Sequence, residues 1–418
     1  MYSFDAAAIT GARLASAASA TGRFVVSPVV WWLGVTSLFT DISSEMVFSA
    51  LPAYLVLHIG LSPFHFGLID SSYHGTTALL RVLSALFTDR LRRYKEIAGA
   101  GYGLSAVAKL VLLLGASWPV VAAGVAVDRV GKGIRTAPRD ALISIGSRSS
   151  DLGVSFGVHR AMDAFGAMLG PLVAFSLLAV PGGGFDALFL TSFCMAAIGL
   201  SALVLFVRNP AAASSRGAAL FAVPQLSAVL RNRPFMALAA VAAVVGVVTV
   251  SDGFLLLLVQ RRLKLPYSWF PLLAFGVALV YMLTAIPLGR LADRTARGLV
   301  FVGGHVAMLV LYGCLLLLPD EGVPVGVACL ALLGLYYAGT DGVLVAMASA
   351  VLDRKVLTTG LAVLGTIVNL SRVFASLAFG AAWSSFGEEA AVGAFGIGLV
   401  LSAGMAVPLL AIGRPRHA

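Results

Sequence analysis

The sequence predicts an all-α integral membrane protein, with twelve transmembrane helices forming two pseudo-symmetric six-helix bundles. Composition, long apolar runs and an internal repeat predict this fold class. Of the 418 residues, 59% are hydrophobic and only 11% are charged, whereas about 25% of a soluble domain is charged. So few ionic side chains cannot cover a water-facing surface of this size. The composition therefore excludes a soluble enzyme, a disordered chain and a nucleic-acid-binding protein.

The apolar runs have the length of membrane-spanning helices, because a hydrocarbon core about 30 Å thick requires roughly 20 residues of helix. Backbone amides in lipid must bond within their own segment, so we expect helices. A β-barrel would instead show short alternating segments of roughly ten residues. The predicted spans are 26–57, 66–88, 97–116, 118–140, 153–180, 185–207, 235–259, 269–289, 299–318, 323–350, 357–383 and 391–412.

The domain organisation follows from these spans. We expect a cytoplasmic tail over 1–25 without a cleavable signal pattern, bundles over 26–207 and 235–412, a cytoplasmic linker over 208–234 and a short tail over 413–418. Lys and Arg are retained on the cytoplasmic side of a membrane. They concentrate in the loops after even-numbered spans, so both termini are predicted to be cytoplasmic. The net charge of +10 is mostly this topology signal.

A repeated loop relates the two halves of the chain. The segments 85–93 and 289–297 each place an Asp-Arg pair at the inner end of an apolar span. Internal duplication with a site between the halves is typical of secondary transporters.

These residues resemble the major facilitator superfamily over essentially the whole chain. The loop after the second span is similar to motif A of that family, although Ala85 and Arg92 replace two of its glycines. The resemblance implies a cytoplasmic gate, in which contacts between charged side chains stabilise one conformation of the transporter. Its predicted residues are Asp89, Arg90, Arg93, Asp293 and Arg294.

A second match lies in the fifth span, where Gly157, Gly166, Gly170 and Pro171 resemble motif C of the same family. The family associates this motif with antiporters that export their substrates, so the resemblance implies the drug or metabolite:proton antiporter branch. Two further glycines of the motif are absent here. Glycines on one helix face also allow close helix packing, and a packing role alone is the alternative.

The first span carries the clearest chemical feature. Asp41 and Glu45 are one helical turn apart and therefore share a face. Two carboxyl groups in a low-dielectric cavity raise each other's proton affinity, which predicts proton coupling. Asp128 and Arg129 of the fourth span are assigned to the same task, since an arginine of that span is often tied to proton coupling in the superfamily. A purely structural ion pair is the alternative.

Other charges at membrane depth must face a partner or a wet cavity, because burying a charge in the bilayer is costly. We expect the first half to handle protons and the second half to shape the substrate pocket. The predicted substrate-cavity residues are Arg81, Lys109, Lys132, Arg135, Asp163, Asp252, Asp341, Asn369 and Arg372. For Asp341 and Arg372, an interhelical ion pair is an equal alternative.

Together these features predict a secondary active transporter that moves a small organic solute across the cytoplasmic membrane by alternating access. Proton-coupled efflux is preferred, with the proton gradient as driving force and no cofactor. The alternative is a proton-coupled uptake symporter for an organic anion or a metal chelate. A membrane enzyme or channel is disfavoured, since no nucleophile has a base partner. We expect a monomer with an anionic or zwitterionic substrate, no metal and no nucleic acid; the substrate and its direction stay open.

Overall fold

The computed structural model describes residues 27–73, 93–115, 117–148, 151–208, 223–317, 322–353 and 356–412. All regular secondary structure in these ranges is helical, and each of the twelve predicted spans contains a described helix. The all-α membrane fold is thereby confirmed. The predicted site residues Arg81, Asp89 and Arg90, the tails 1–25 and 413–418, and most of the linker lie outside the described residues.

The helices of the first half begin within a few residues of the predicted spans, while α4 extends past its predicted end and the predicted end of the second span lies outside the described residues. They are α1 (Pro28–Pro52, continued by a π-helical turn Ala53–His58), α2 (63–73), α3 (Tyr94–Leu113), α4 (Trp118–Gly146), α5 (Leu152–Ala179) and α6 (Phe185–Phe206).

The second half contains one short helix before its spans. The helices are α7 (Val223–Arg231), α8 (Arg233–Val247), α9 (Asp252–Leu263), α10 (Phe270–Arg294), α11 (Arg297–Leu317), α12 (Val323–Val351), α13 (Leu357–Phe386) and α14 (Glu388–Ile412). Helix α7 lies within the predicted linker. Asn232 separates it from α8 and caps α8, because its side chain accepts a hydrogen bond from the Phe235 amide at 3.0 Å.

Eight segments of the described chain are long and apolar enough to cross a membrane. Seven correspond to α3, α5, α6, α10, α11, α12 and α13, and the eighth runs through α8 and α9. Helix α4 is equally long but carries six ionic side chains, which are Asp128, Arg129, Lys132, Arg135, Arg139 and Asp140.

The seventh span is broken, although the apolar run predicted a continuous helix. Helix α8 ends at Val247 and α9 begins at Asp252. The Tyr312 hydroxyl accepts a hydrogen bond from the Val250 amide at 2.8 Å, which satisfies a backbone group that the break removes from the helix. A break at membrane depth is tolerated where such a partner exists.

The described helices form two compact units. Helices α1 and α3–α6 form one, here called the N-unit, and α2 with α7–α14 form the other, here called the C-unit. In the N-unit, α1 packs on α5 and α6 while α3 packs on α4. In the C-unit, α12 packs on α10 and α11 while α13 packs on α8.

Helix α2 belongs to the C-unit although it precedes α3 in the chain. The Phe66 ring meets Phe254 edge-on, with ring centroids 4.7 Å apart. Gly67 faces α13 so closely that an added Cβ would lie 2.6 Å from the Ser376 carbonyl oxygen. Sequence order alone would assign 60–74 to the first half, but these contacts are made with the second.

Candidate functional site

Helices α1 and α5 pack closely against each other at two glycines of the fifth-span motif, and their contact is here called the seam. A Cβ on Gly166 would lie 2.4 Å from the Leu38 carbonyl oxygen, and a Cβ on Gly170 would lie 2.7 Å from the Glu45 Cβ. Glycine is therefore required at both positions for this helix approach. At Gly157 an added Cβ would meet nothing within 4 Å, so this glycine does not contribute to the seam.

Close approach brings an acid of α1 against an acid of α5. The carboxyl groups of Asp41 and Asp163 lie close enough to act on each other electrostatically. Two ionised carboxylates at this separation repel, whereas a carboxylic acid donates a hydrogen bond to a carboxylate. A pair of this kind can share one proton between its members. The sequence placed these two residues in different sets, Asp41 with proton coupling and Asp163 with the substrate cavity.

Arginines surround this acid pair. The Arg135 guanidinium lies 3.8 Å from the Asp41 carboxylate, and Arg139 lies 3.9 Å from Asp163. Arg160 reaches Asp163 at 3.6 Å from one turn earlier on α5. These separations indicate electrostatic contact rather than tight hydrogen bonds. The cations therefore compete with a proton for the same carboxyl oxygens.

Glu45 lies one turn beyond Asp41 on α1 and is deeply buried, with 5% of its surface exposed. Its Oε2 atom has no hydrogen-bond partner among the described residues. Lys132 of α4 acts electrostatically on both Glu45 and Asp41. Glu45 is therefore a buried acid whose electrostatic partner is the ammonium group of Lys132.

The other predicted coupling residues form an ion triad. Asp128 binds the Lys109 ammonium of α3 through one carboxylate oxygen and the Arg129 guanidinium through the other. Ser105 donates a hydrogen bond to the Asp128 carbonyl oxygen at 3.3 Å. Lys109 was assigned to the substrate cavity, yet it is only 2% exposed and is bound within the N-unit. The triad ties α3 to α4.

A polar cluster that sequence reasoning missed lies one turn before the acid pair. The Ser37 hydroxyl of α1 is 3.0 Å from the His159 Nε2 atom of α5 and 3.4 Å from the Tyr102 hydroxyl of α3. The Arg135 guanidinium stacks over the Tyr102 ring, 4.7 Å from its centroid. One signal was available in the sequence: His159 precedes Asp163 by four residues, as Ser37 precedes Asp41.

The C-unit has its own polar group near the break in the seventh span. The Tyr337 hydroxyl of α12 donates a hydrogen bond to the Asp252 carboxylate at the start of α9. Arg372 of α13 lies 3.5 Å from Asp341 of α12. Asn369 is half-buried and lies one turn before Arg372. The predicted second-half residues therefore lie on α9, α12 and α13 of one unit.

Asp70 of α2 is a second group that the predicted sites omitted. The Ser376 hydroxyl of α13 donates a hydrogen bond to its carboxylate at 2.5 Å, and both side chains are buried. The bond joins α2 to α13 across a large sequence separation. No periodicity in the sequence reveals such a pair, because its partners come from different halves of the chain.

The described part of the predicted gate lies at exposed helix ends. Arg93 is exposed immediately before α3, and Asp293 and Arg294 are exposed at the end of α10. Asp293 pairs with Arg297, at 2.9 Å, rather than with its neighbour. Arg297 also donates a hydrogen bond to the Ala346 carbonyl oxygen at 3.3 Å, which fastens the α10–α11 turn to α12. Pro171 is buried within α5.

Among the described residues, no group of three or more His, Cys, Asp or Glu side chains could hold a metal ion. The site chemistry of the described chain is thus that of carboxyl groups, guanidinium groups, ammonium groups and one imidazole. Such groups can bind and release protons and can hold the charged groups of a solute.

Comparison with known proteins adds family evidence to this geometry. Residues 33–319 match the profile described as Major Facilitator Superfamily. An uncharacterized MFS-type transporter of Methanocaldococcus jannaschii is 28% identical over 369 residues, which cover 86% of this chain and 89% of the relative.

Solved transporter structures share the fold. A POT family transporter in complex with 5-aminolevulinic acid superposes with a TM-score of 0.77 at 12% identity, covering 94% of this chain and 98% of the other. The nucleoside transporter NupG superposes with a TM-score of 0.74 at 11% identity, covering 92% of this chain and 98% of the other. At these identities the likeness concerns the fold alone.

Proposed function

Because the chain belongs to the Major Facilitator Superfamily, we propose that this multi-pass membrane transporter works as a proton-coupled secondary transporter that exports a small zwitterionic organic solute. It would act by alternating access in the cytoplasmic membrane, with both termini inside, as a monomer and without a cofactor. The exposed residues Arg93, Asp293 and Arg294, with Asp89 and Arg90, are proposed as its cytoplasmic gate. No enzymatic activity is proposed.

The contact between Asp41 and Asp163 carries the proposal of proton coupling. Two neighbouring carboxyl groups repel each other when both are ionised, and a proton bound to one of them removes that repulsion. Loss of that proton would leave two repelling carboxylates, which Arg135 and Arg139 are placed to neutralise. Proton release thus changes which contacts join α1, α4 and α5, and a change of this kind can favour one conformation over another.

The charge balance of the N-unit supports a charged substrate. The site of the N-unit contains cationic and acidic side chains that interact with one another. Its cations are Lys109, Arg129, Lys132, Arg135, Arg139 and Arg160. Its acids are Asp41, Glu45, Asp128, Asp140 and Asp163. Cations therefore outnumber acids even before any acid is protonated. A solute with an anionic group can exploit this excess.

Antiport requires that proton and solute exclude each other. The ammonium group of a zwitterion would compete with a proton for Asp41 and Glu45, while its anionic group would meet the cations of α4. The close packing of Gly166 and Gly170 against α1 also supports the resemblance to the exporter motif. With a potential of 100 mV across the membrane, each elementary charge that crosses adds about 2.3 kcal/mol to the driving force for transport.

Proton-coupled symport of an organic anion is the second candidate. Protonation of Asp41 and Glu45 would leave more of the cationic excess uncompensated, so that an anion without an ammonium group would bind together with the proton. The same cation excess that supports a charged substrate favours this alternative. The direction in which a proton gradient drives the solute distinguishes the two.

The test begins with identification of the solute. Metabolite pools and sensitivity to toxic compounds are compared between cells with and without the protein, and the leading compound is assayed in proteoliposomes under an imposed pH gradient. Export by antiport predicts that an acidic interior drives accumulation of the compound inside the vesicles. Symport predicts accumulation from an acidic exterior instead.

The carboxyl groups are tested in the same vesicles. Asp41→Asn combined with Glu45→Gln is expected to abolish pH-driven accumulation while leaving exchange of labelled for unlabelled compound. Arg148→Ala changes an exposed residue after α4 and serves as the matched control, which should behave like the native protein. Intact pH-driven accumulation in the double variant would overturn proton coupling through these residues.

A further inference from the structure

The chain has three cysteines, and the site described above uses none of them. Cys194 is exposed on α6, Cys314 of α11 is half-buried, and Cys329 of α12 is buried. Their spacing in the sequence matches neither a metal-binding motif nor the cysteine framework of a disulfide-rich domain. The fold nevertheless brings Cys314 and Cys329 together, because they lie on two helices of the C-unit that pack against each other.

Helices α11 and α12 run antiparallel in close contact. The Arg297 guanidinium at the start of α11 donates a hydrogen bond to the Ala346 carbonyl oxygen of α12 at 3.3 Å. Further along α11, a Cβ added to Gly339 would lie 3.2 Å from the Gly304 Cα atom. From the first contact to the second, the residue number rises by seven on α11 and falls by seven on α12. Facing residues therefore advance in step toward the end of α11 and the start of α12.

The same register places Cys314 level with Cys329. Cys314 follows Gly304 by ten residues and Cys329 precedes Gly339 by ten, so each lies about 15 Å along its helix from that contact. The two thiol groups are close enough to interact with each other. Leu315, which follows Cys314 in the chain, lines the same cleft as Cys329. Helix register and side-chain interaction thus both indicate that the two sulfur atoms are neighbours.

A partly open cleft lies beside this pair. It is formed between α9, α11 and α12, and Arg262, Leu315, Gly326 and Cys329 are among its lining residues. The cleft leaves space next to the Cys329 side chain, so its sulfur can turn without displacing packed neighbours. Cys314 is only half-buried, which makes it the thiol that a reagent from outside the protein can reach.

The pair lies at the outer end of its helices when both termini are inside, as proposed above. The chain then runs outward through α11 and returns inward through α12. Cys314 precedes the end of α11 at Leu317, and Cys329 follows the start of α12 at Val323, each by less than two helical turns. Disulfides form and persist on the extracytoplasmic side of a membrane, whereas cytoplasmic thiols are kept reduced. The two neighbouring thiols thus lie toward the compartment that permits their oxidation.

We propose that Cys314 and Cys329 form a modification site, at which a small external disulfide compound converts the two thiols into an internal disulfide bond that fastens α11 to α12. This inference uses the proposed orientation in the membrane but not the proposed proton coupling. Failure of either one therefore leaves the other in place.

The reaction is an exchange of thiols and disulfides that needs no metal. The Cys314 thiolate attacks one sulfur of the external disulfide, so that a mixed disulfide forms and one small thiolate leaves. The Cys329 thiolate then attacks the Cys314 sulfur and expels the second small thiolate. The two protons lost by the cysteines are taken up by these leaving groups. Each internal disulfide thus oxidises two cysteine thiols and reduces one external disulfide to two thiols.

The test counts free thiols in membrane vesicles of known orientation that contain the reduced protein. Oxidised glutathione, which does not cross the membrane, is added outside, and the remaining thiols are alkylated after unfolding and counted by mass spectrometry. In right-side-out vesicles we expect the count to fall from three to one, at Cys194, and the protein to lose two hydrogen atoms. Inside-out vesicles should retain all three thiols.

Three results in this assay would overturn the proposal. The first is retention of all three thiols in right-side-out vesicles. The second is a glutathione adduct that persists on either cysteine without an internal bond. The third is a disulfide that forms only in inside-out vesicles, which would also contradict the proposed orientation.

Single substitutions identify the partners. Cys314→Ser and Cys329→Ser should each prevent the internal disulfide, whereas the matched control Cys194→Ser should form it as the native protein does. Oxidation should raise the unfolding temperature of the native protein and of the Cys194 variant, because a cross-link restricts the unfolded chain. It should leave the other two variants unchanged. Equal temperature shifts in all four proteins would place the effect of oxidation elsewhere and would refute the assignment.

Discussion

Three glycines on α5 allow the helix seam to be tested by single methyl groups. Gly157, Gly166 and Gly170 lie on the same helix and share a sequence motif, yet an added Cβ would meet very different surroundings. At Gly166 it would lie 2.4 Å from a backbone oxygen, at Gly170 2.7 Å from the Glu45 Cβ, and at Gly157 nothing lies within 4 Å. Substitution by alanine at each position changes little else.

The magnitudes follow from two opposing terms. Alanine favours a helix over glycine by about 1 kcal/mol, and this gain should appear undiminished at Gly157. At Gly166 the Leu38 oxygen belongs to a helix backbone and cannot rotate away, so α1 must move about 1 Å to restore ordinary contact. Overpacking costs about 1–3 kcal/mol. The helix gain is common to both positions, so the Gly157→Ala and Gly166→Ala variants should differ by about 1–3 kcal/mol, with Gly170→Ala between them.

The order of stability is measured by thermal unfolding in detergent. Unfolding is detected as the loss of monodisperse protein on size-exclusion chromatography. We expect Gly157→Ala to unfold at or above the temperature of the native protein and Gly166→Ala to unfold earliest. Proton uptake should decline in the same order, because separation of α1 from α5 parts Asp41 from Asp163. If the Gly166 and Gly157 variants unfold at the same temperature, the close approach of α1 and α5 is refuted.

Two further predictions concern ion pairs. Asp128→Asn leaves Lys109 and Arg129 without their shared anion, and removing one partner of a buried pair costs about 3–5 kcal/mol of stability. The control is Asp293→Asn at the exposed pair with Arg297, which should cost no more than about 1 kcal/mol. Equal unfolding temperatures for the two variants would contradict the burial argument. Arg372→Gln should destabilise the protein, and adding Asp341→Asn should restore stability, with a coupling energy of about 1–3 kcal/mol. Restored transport in that double variant would indicate a structural ion pair, whereas restored stability without transport would indicate substrate contact.

The candidate site was predictable only in part. Asp41 and Glu45 stand out in the sequence because charges are rare in apolar spans, and their spacing of four gives them a common helix face. Their partners did not follow from spacing. Lys109 was predicted to be a substrate-cavity residue, but it binds Asp128. Asp163 and Asp41 were assigned to different sites, although their carboxyl groups interact. His159 and Ser37 were not assigned to any site, since single polar side chains show no pattern until two helices face each other.

Amino-acid order alone determined that this chain is a helical membrane protein of repeated design, because hydropathy and helix periodicity are local properties read along one segment. Only the tertiary structure decided which charges neutralise each other, that the seventh span breaks before Asp252, and that α2 packs with the second half of the chain. Those outcomes depend on contacts between residues far apart in sequence. Gly166 and Gly157 illustrate the difference: identical residues on one helix, of which only the first lies where another backbone leaves no room for a side chain.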